Sequence, residues 1–355
     1  MSTDMGLDRR AFLKLQLGAV ATMLLQPGFS SGGEALKADL IIGCWPGYEK
    51  FFEEFAYKPF LSKNPGVKIS MDIAPISQVY AKLQASKGGR LPVQGTAMND
   101  TFCMAGLKNK MWQRLTEKQL PNLANVPPGL RSEAGPFWAI NFFGITYNPK
   151  RLPKGISSWN ELYDPKFKGK VGMWPAYFDA YIMAAKAAGG DEHSLEKGIA
   201  AWKKAKDNIG LWVKSVAEIH QAIHRGEILV APDWGAAALR DAATGMDLAV
   251  CIPKEGAVMN TYYMQVLNGV SDDEAKALYE IFNQFLSVDF QKNLFKHHYL
   301  IPVVKEVQPD LSQIKQELDF NFTAQDAIRK LYRPDYAFIG ENAKKIVELI
   351  DENLK

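Results

Sequence analysis

Short apolar runs alternate with amphipathic segments in two separate parts of this chain, and that alternation constrains the fold more than any other feature. In the first part, "ADLIIGCW" and "VKISMDIAP" predict strands, each followed by a segment with a helical apolar face. In the second part, "GKVGMW" and "ILVAPDWG" predict strands with two helices between them. Parallel strands need a long crossover connection, which is usually a helix. The sequence therefore predicts an α/β protein with two lobes.

The first 35 residues predict an export signal. Arg9 and Arg10 precede an apolar run from residue 15 to residue 25, which is too short to span a bilayer comfortably. The paired arginines and the Phe-Leu-Lys that follows resemble a twin-arginine signal. We expect cleavage near Ala35, with no lipid anchor because no cysteine follows the run. The mature protein is then predicted to be soluble and periplasmic.

Composition excludes some partners and leaves one question about the cysteines open. A chain of 355 residues that is 47% hydrophobic can bury a sizeable core. Its net charge is only +3 and its basic residues are dispersed, so we expect no nucleic-acid partner. We also expect a monomer. Cys44, Cys103 and Cys251 are expected to be buried, although a disulfide between Cys44 and Cys103 is a second possibility.

Nothing in the sequence predicts an enzyme or a cofactor. The chain has no G-x-S-x-G, H-E-x-x-H, P-loop or G-x-G-x-x-G pattern, and its histidines have no catalytic context. His220 and His224 are four residues apart on a predicted helix, but we expect them on an exposed face rather than at a metal. The adjacent Tyr262 and Tyr263 should point to opposite faces of a strand, which argues against a tyrosine-bound iron.

Two segments resemble a known family. "GITYNPKRLPKGISSWNELYDPKFKGKVGM", with its Trp159, Leu162 and Asp164-Pro165, and "CIPKEGAVM" resemble bacterial extracellular solute-binding proteins of the spermidine/putrescine-receptor type. The resemblance implies a two-lobed periplasmic binding fold of type II with the ligand cleft between the lobes. It implies that the chain crosses from one lobe to the other near 143–147 and 258–264, and a third time near residue 300; we call these segments the crossovers. The predicted lobes are 36–144 plus 262–305, and 145–261 plus 306–355.

The same resemblance implies a function. Such a receptor closes on a small solute by hinge motion and delivers it to the permease of an ABC importer in the inner membrane. An Fe(III) receptor of the same fold is the alternative, and a periplasmic enzyme is a less favoured one. No cofactor is implied.

Candidate ligand residues follow from where ligands bind in open α/β sheets. Such ligands lie beyond the carboxyl ends of the strands, where loops and helix starts converge. The candidates that meet this condition or lie at the crossovers are Trp45, Tyr48, Asn99, Asp100, Phe143, Trp174, Tyr177, Asp179, Asp233, Trp234, Asn260 and Tyr262.

Asp179 has two competing interpretations. It lies where the polyamine receptors carry an acid for an amine, and Trp45, Tyr48 and Trp234 resemble aromatic positions of those receptors. Aromatic faces attract ammonium groups and a carboxylate fixes the position of the charge, so Asp179 is predicted to anchor a cationic solute. The other interpretation is that Asp179 only stabilises the start of the helix that follows.

Several positions depart from the polyamine-receptor pattern. Gly47, Ala176 and Tyr262 stand where those receptors are typically acidic, and Asn260 stands where a tryptophan is customary. Asp100 and Asp233 could compensate, or they could be solvated or capping acids. The pattern favours a ligand with one cationic end, a zwitterion or a small aromatic cation over spermidine.

Overall fold

One mixed sheet of 11 strands organises the residues that the computed structural model describes, which are 36–86, 89–132, 135–175 and 178–354. The strands are β1 (Ala38–Cys44), β2 (Val67–Ile73), β3 (Gly95–Asn99), β4 (Arg131–Ser132), β5 (Gly135–Tyr147), β6 (Val171–Met173), β7 (Ile209–Trp212), β8 (Val230–Trp234), β9 (Ala249–Cys251), β10 (Ala257–Val266) and β11 (Leu331–Tyr332). The order along the main path is β2-β1-β3-β10-β5-β8-β6-β7, with β11 on β10 and with β4 and β9 on β5.

Helices follow most strands and cover the sheet. The first helix, α1, contains a π-helical turn and comprises Glu49–Phe52, Glu53–Tyr57 and Lys58–Leu61. The others are α2 (Ile76–Ala85), α3 (Asp100–Lys108), α4 (Phe178–Ala187), α5 (Leu195–Lys204), α6 (Val216–Arg225), α7 (Gly235–Ala243), α8 (Asp272–Phe285), α9 (Val288–His298), α10 (Ala324–Lys330) and α11 (Tyr336–Leu354).

The two long strands β5 and β10 join the two halves of the sheet, and within each half the other main strands are parallel. β10 pairs antiparallel with β5, with Asn260 opposite Asn141, and each strand then pairs with one half. β1 lies parallel between β2 and β3 in one half, and β6 lies parallel between β7 and β8 in the other. The predicted crossovers at 143–147 and 258–264 fall in β5 and β10, and Ile301 bridges Ile140 at the third. The predicted α/β alternation is confirmed in both halves.

Two buried hydrophobic clusters lie on the two halves. The first includes Leu40, Phe52 and Trp138, and the second includes Phe143, Trp159 and Trp202. Side chains of α7 and of residues 320–331 pack with the first cluster, although these segments fall in the second of the predicted lobes. Helix α11 packs against both α3 and α5, and it therefore touches an element of each half.

Local capping follows the sequence closely. A capping box is present at the start of α8, because the Ser271 hydroxyl accepts from the Glu274 amide at 3.3 Å and the Glu274 carboxylate accepts from the Ser271 amide at 2.8 Å. Two orphan amides at the helix start are thereby satisfied.

The predictions about the export signal and the cysteines compare with the structure as follows. The export signal, with Arg9 and Arg10, lies outside the described residues. No helix within the described ranges is long and apolar enough to cross a bilayer. Cys44 and Cys103 are both buried and are not joined by a disulfide, whereas Cys251 is only partly buried; the Cys103 sulfur accepts from the Gln265 side chain at 2.7 Å.

The prediction that His220 lies on an exposed face is wrong. Its side chain is completely buried between α6, β8 and α7. The physical reason is that Asp233 and Asp241 each hydrogen-bond to one of its ring nitrogens, so burial leaves no polar atom of the ring unpaired. His224, four residues later, is exposed as predicted, and its ring nitrogen accepts from the Asp247 amide at 3.0 Å.

Candidate ligand-binding site

Five of the sequence-predicted residues line one cavity of about 260 Å³, which we call the Asp179 cavity. It lies at the carboxyl ends of β3, β6 and β8, where the starts of α3, α4 and α7 converge. β10 and the first turns of α11 close its other side. The predicted residues among its lining are Asn99, Asp100, Asp179, Trp234 and Asn260, and the others are Thr101, Phe102, Phe178, Ile182, Tyr336 and Ile339.

Asp179 is the second residue of α4 and is 9% exposed. The hydroxyl of Tyr336, at the start of α11, lies 3.4 Å from Asp179 Oδ1. The same hydroxyl lies 3.2 Å from the Met259 carbonyl and accepts from Asn260 Nδ2 at 2.6 Å. A phenol has one hydrogen, so Asp179 shares this donor with a backbone carbonyl.

The charge of Asp179 is poorly compensated by the protein. No lysine, arginine or histidine in the described part of the chain forms an ion pair with it. Burial and the nearby negative charge of Asp100 raise the pKa of Asp179 to about 7, against the lowering effect of the Tyr336 and Asn260 hydrogen bonds. A buried carboxylate in this state gains from either a proton or a bound cation.

Asp100 also borders the cavity, but protein groups already occupy its oxygens. Thr261 donates to it from its amide at 2.6 Å and from its hydroxyl at 2.5 Å, and Tyr263 donates at 2.8 Å. Arg333 lies 3.6 Å away and also donates to the Tyr263 hydroxyl at 2.7 Å. Burial raises the pKa of Asp100, and these hydrogen bonds and the Arg333 charge oppose the rise. Asp100 thus joins α3 to β10 and to the segment before α11.

Asn260 offers the cavity an acceptor that the protein leaves unused. Its side chain is 8% exposed, and its Oδ1 atom has no hydrogen-bond partner among the described residues. A buried carbonyl oxygen without a donor costs about 1–3 kcal/mol. A ligand N–H would remove that cost. Asn99, also in the lining, caps α3 by accepting from the Phe102 amide at 3.3 Å.

A second group of candidates forms what we call the aromatic cluster, which consists of Trp45, Tyr48, Trp138 and Tyr262. The Trp45 ring lies 5.4 Å from Tyr48 and 5.1 Å from Tyr262, both edge to face. Trp138 lies buried beneath all three. Tyr48 also stacks on His298 at 4.5 Å. Tyr262 lies two residues beyond Asn260 on β10, which places the aromatic cluster on the same face of the strand as the cavity residue.

Trp234 is held in the cavity wall by its neighbours. The buried Phe143 ring packs edge to face against it at 5.0 Å, so Phe143 supports the wall without lining it. Asn141 Oδ1 accepts from the Ala236 amide at 3.2 Å and thereby fixes the first turn of α7. A Cβ at Gly235 would lie 1.9 Å from the Phe142 ring, so only glycine allows this close approach.

Asp233 lies behind the cavity rather than in it. Its carboxylate is fully buried, accepts from Thr146 at 3.0 Å and contacts His220 Nε2 at 2.6 Å. The other ring nitrogen of His220 contacts Asp241 at 2.6 Å. Burial alone would lower the pKa of His220, but the two carboxylates raise it to about 9. A histidine cation between two carboxylates therefore joins α6, β8 and α7 beneath Trp234.

The remaining predicted residues are placed as follows. Trp174 is half-buried and packs against the second hydrophobic cluster, and Tyr177 lies outside the described residues. Tyr262 and Tyr263 point to opposite faces as predicted, since Tyr262 contacts Trp45 whereas Tyr263 contacts Asp100. No group of three or more histidine, cysteine or acidic side chains in the described ranges is arranged to hold a metal ion.

Sequence reasoning missed Tyr336, Arg333, Asn141 and Trp138. The first two lie in the C-terminal segment, far along the chain from the strands that they contact. Asn141 and Trp138 lie inside β5, whose sequence is a nearly continuous apolar run. The polar residue Asn141 within this run could have indicated part of the site. A lone asparagine in a buried strand needs hydrogen-bond partners, and here they are Ala236, Phe142 and Tyr262.

Comparisons with known proteins agree with this architecture. A spermidine/putrescine-binding periplasmic protein from Escherichia coli (strain K12) is 24% identical over 215 residues, which are 56% of this chain and 60% of that protein. The match thus spans less than two thirds of that relative. A solved ABC transporter structure from Clostridium perfringens ATCC 13124 has a TM-score of 0.74 at 20% identity, covering 89% of this chain and 100% of the other.

A structure described as a GABA receptor has a TM-score of 0.72 at 15% identity, covering 89% of this chain and 98% of the other. These structures confirm the two-lobed α/β fold. Residues 92–331 match the family model for bacterial extracellular solute-binding proteins. The chain belongs to the bacterial extracellular solute-binding protein family.

Proposed function

We propose that this chain is the solute receptor of an ABC importer and that it captures a small cationic or zwitterionic organic solute. The observation that carries the proposal is that two buried groups lack a counterpart among the described residues: Asp179 has no cationic partner and Asn260 Oδ1 has no donor. An ammonium group satisfies both, because it carries a positive charge and several N–H donors. Trp234 and Phe178 supply apolar wall beside them.

Closure of two lobes around the solute follows from the position of the cavity. Its lining comes from α3 on one half of the sheet and from α4 and Trp234 on the other, with β10 between them. A solute that contacts both halves binds more tightly to the closed arrangement than to the open one and thereby favours closure. The relatives bind, according to their names, spermidine or putrescine in one case and GABA in another, so amines are a consistent solute class.

Export to the periplasm and delivery to an inner-membrane permease complete the proposal. The sequence basis for export is the twin-arginine pattern of Arg9 and Arg10. Replacing both by lysine should abolish periplasmic delivery of the full chain. Unchanged delivery in a strain that lacks the twin-arginine machinery would contradict this route.

A ligand screen tests the solute class. Amines, amino-acid derivatives and quaternary ammonium compounds should raise the melting temperature, since a ligand at 100 times its Kd stabilises the folded state by about 2.7 kcal/mol. Tryptophan fluorescence should change in parallel because Trp234 lines the cavity. Shifts from sugars or anions alone would overturn the cationic solute, and turnover of a ligand would overturn the receptor role.

A further inference from the structure

We propose that the Asp179 cavity accepts solutes with one ammonium group and discriminates against diamines and longer polyamines. The inference rests on the proposed function and narrows its substrate class. It follows from the number of negative charges that the protein leaves available to a ligand. Each ammonium that leaves water needs a carboxylate or an equivalent set of acceptors to offset its lost hydration.

Asp100 is not available for a second ammonium. Its two oxygens accept three hydrogen bonds from Thr261 and Tyr263, and Arg333 lies 3.6 Å from Oδ1. An ammonium that bound Asp100 would have to displace these donors and would approach the Arg333 guanidinium. The Arg333 side chain is itself held over the Phe137 ring, 4.9 Å from its centre.

Asp233 is unavailable for a different reason. It is completely buried behind Trp234 and pairs with His220 and Thr146. Of the three acids proposed from the sequence, only Asp179 combines a place in the cavity wall with the absence of a cationic protein partner in the described chain.

The rest of the lining is neutral. Asn99, Thr101, Asn260 and Tyr336 are polar without charge, and Phe102, Phe178, Ile182, Trp234 and Ile339 are apolar. Apolar side chains suit an uncharged solute body and penalise a second ammonium placed among them. The volume of about 260 Å³ lies below the range of drug-sized pockets, so the solute is small.

The aromatic cluster does not offer a second anionic anchor. Burial, together with the nearby Arg240 and His297, lowers the pKa of His298, which stacks on Tyr48, to about 4. Arg240 is the cation that acts on both Tyr48 and His298. The carboxylate of Glu49, the residue after Tyr48, already accepts from the Gly47 amide at 2.6 Å. A diamine that reached from Asp179 toward Tyr48 would bring its second ammonium toward the Arg240 charge.

Matched ligands test the inference directly. We would titrate the full mature chain with n-butylamine and 1,4-diaminobutane, and with n-hexylamine and 1,6-diaminohexane, at pH 8 in one buffer. The monoamine of each pair should bind at least about tenfold more tightly than its diamine. Equal or tighter binding of the diamines would overturn the inference.

A designed second anchor sharpens the test. Asn99→Asp adds a carboxylate to the cavity wall while it keeps the cap of α3, because aspartate and asparagine cap helices about equally well. The ratio of diamine to monoamine affinity should rise about tenfold or more. Ser215→Asp is the matched control, since Ser215 caps α6 on an exposed surface and a charge there should leave the ratio unchanged.

The outcomes separate this inference from the proposed function. If no amine binds the wild-type chain, the proposed solute class itself fails. If amines bind and diamines are preferred, only the single-ammonium inference fails. An unchanged ratio in Asn99→Asp would also overturn it, because the count of available carboxylates would then not determine selectivity. A folded Asn99→Asp protein is verified by its melting temperature.

Discussion

Replacement of Asp179 by asparagine separates the two interpretations of this acid more sharply than any other change. Asparagine keeps the size of the side chain and removes its charge. If Asp179 anchors a ligand ammonium, the variant leaves that ammonium desolvated and without its partner. Loss of one member of such a pair costs about 2–5 kcal/mol, so Kd should rise by a factor of roughly 30 or more at pH 8.

The same variant should be more stable than the wild-type protein in the absence of ligand. The folded-state pKa of Asp179 is about 7 and the ordinary value is 3.8, so ionisation is less favourable in the folded state. The resulting destabilisation begins as the pH rises above about 4 and is complete above 7. Asparagine cannot ionise, and its gain at pH 8 is therefore as much as ~4 kcal/mol.

If Asp179 only stabilises the start of α4, we expect the reverse of both results: lower stability and unchanged affinity. Loss of an acid from the first turn of a helix costs about 0.3–1 kcal/mol of stability and leaves affinity unchanged. Asp289→Asn is the matched control, because Asp289 is likewise the second residue of its helix, α9, but is exposed. It should lose a little stability and no affinity.

The assay combines calorimetric titration of a bound amine with urea unfolding of the free protein, for the wild type and both variants. We expect weaker binding together with higher stability for Asp179→Asn. A less stable Asp179→Asn protein with unchanged affinity would refute the anchor interpretation and return Asp179 to the helix start.

Three further predictions concern pH and the supporting residues. Amine affinity should weaken about 100-fold between pH 8 and pH 5, because the pKa of Asp179 is about 7 and only its ionised form binds a cation; a flat titration profile would contradict this. Tyr336→Phe removes a hydrogen bond that lowers the pKa of Asp179, so the midpoint of that profile should move to higher pH, and a midpoint that stays or falls would exclude the role of Tyr336. His220→Leu removes the histidine cation that pairs with the buried Asp233 carboxylate and should cost about 3–5 kcal/mol in urea unfolding. The folded-state pKa of His220 is about 9 and the ordinary value is 6.5, so its stabilising contribution is complete below pH 6.5 and is lost as the pH rises through 9. Over this pH range the wild-type protein should lose on the order of 3 kcal/mol of unfolding free energy and the variant should not. Equal losses in the two proteins would contradict the ion-pair account.

The sequence predicted the fold because its signals are local. Apolar runs with β-branched residues mark β1 and β8, and the Ser271 to Glu274 spacing marks the start of α8. Asp179 and Trp234 converge because β6 and β8 are parallel and bring their carboxyl ends to the same edge. Asn99 comes from the other half of the sheet, where β3 runs opposite to β8, so the carboxyl ends of the two halves meet at the cavity.

The rest of the site depends on contacts between distant parts of the chain. Tyr336 reaches the cavity and Arg333 reaches Asp100 because α11 packs against α3 and α5, and no local pattern near residue 336 indicates this. The burial of His220, by contrast, had a signal. Val216, Ile219, His220 and Ile223 follow the i, i+3, i+4, i+7 spacing of a buried helix face, in which the imidazole occupies one position.

The sequence alone also could not distinguish Asp179 from Asp100 and Asp233 as a ligand residue. From the sequence, Asp179 follows one predicted strand, Asp233 lies near the end of another and Asp100 lies in a loop of the first lobe, so residue type alone gives them equal claims to a ligand. Their partners separate them: Asp100 has Thr261 and Arg333, and Asp233 has His220. Among the described side chains, Asp179 has a shared phenol and an amide as its partners.

A crystal structure of the mature chain with a bound monoamine tests the central claim most directly. We predict that the ligand nitrogen lies about 3 Å from an Asp179 carboxylate oxygen and within hydrogen-bond distance of Asn260 Oδ1, with Trp234 beside the carbon chain. A nitrogen bound elsewhere, with Asp179 still contacting only Tyr336 and Asn260, would contradict the account.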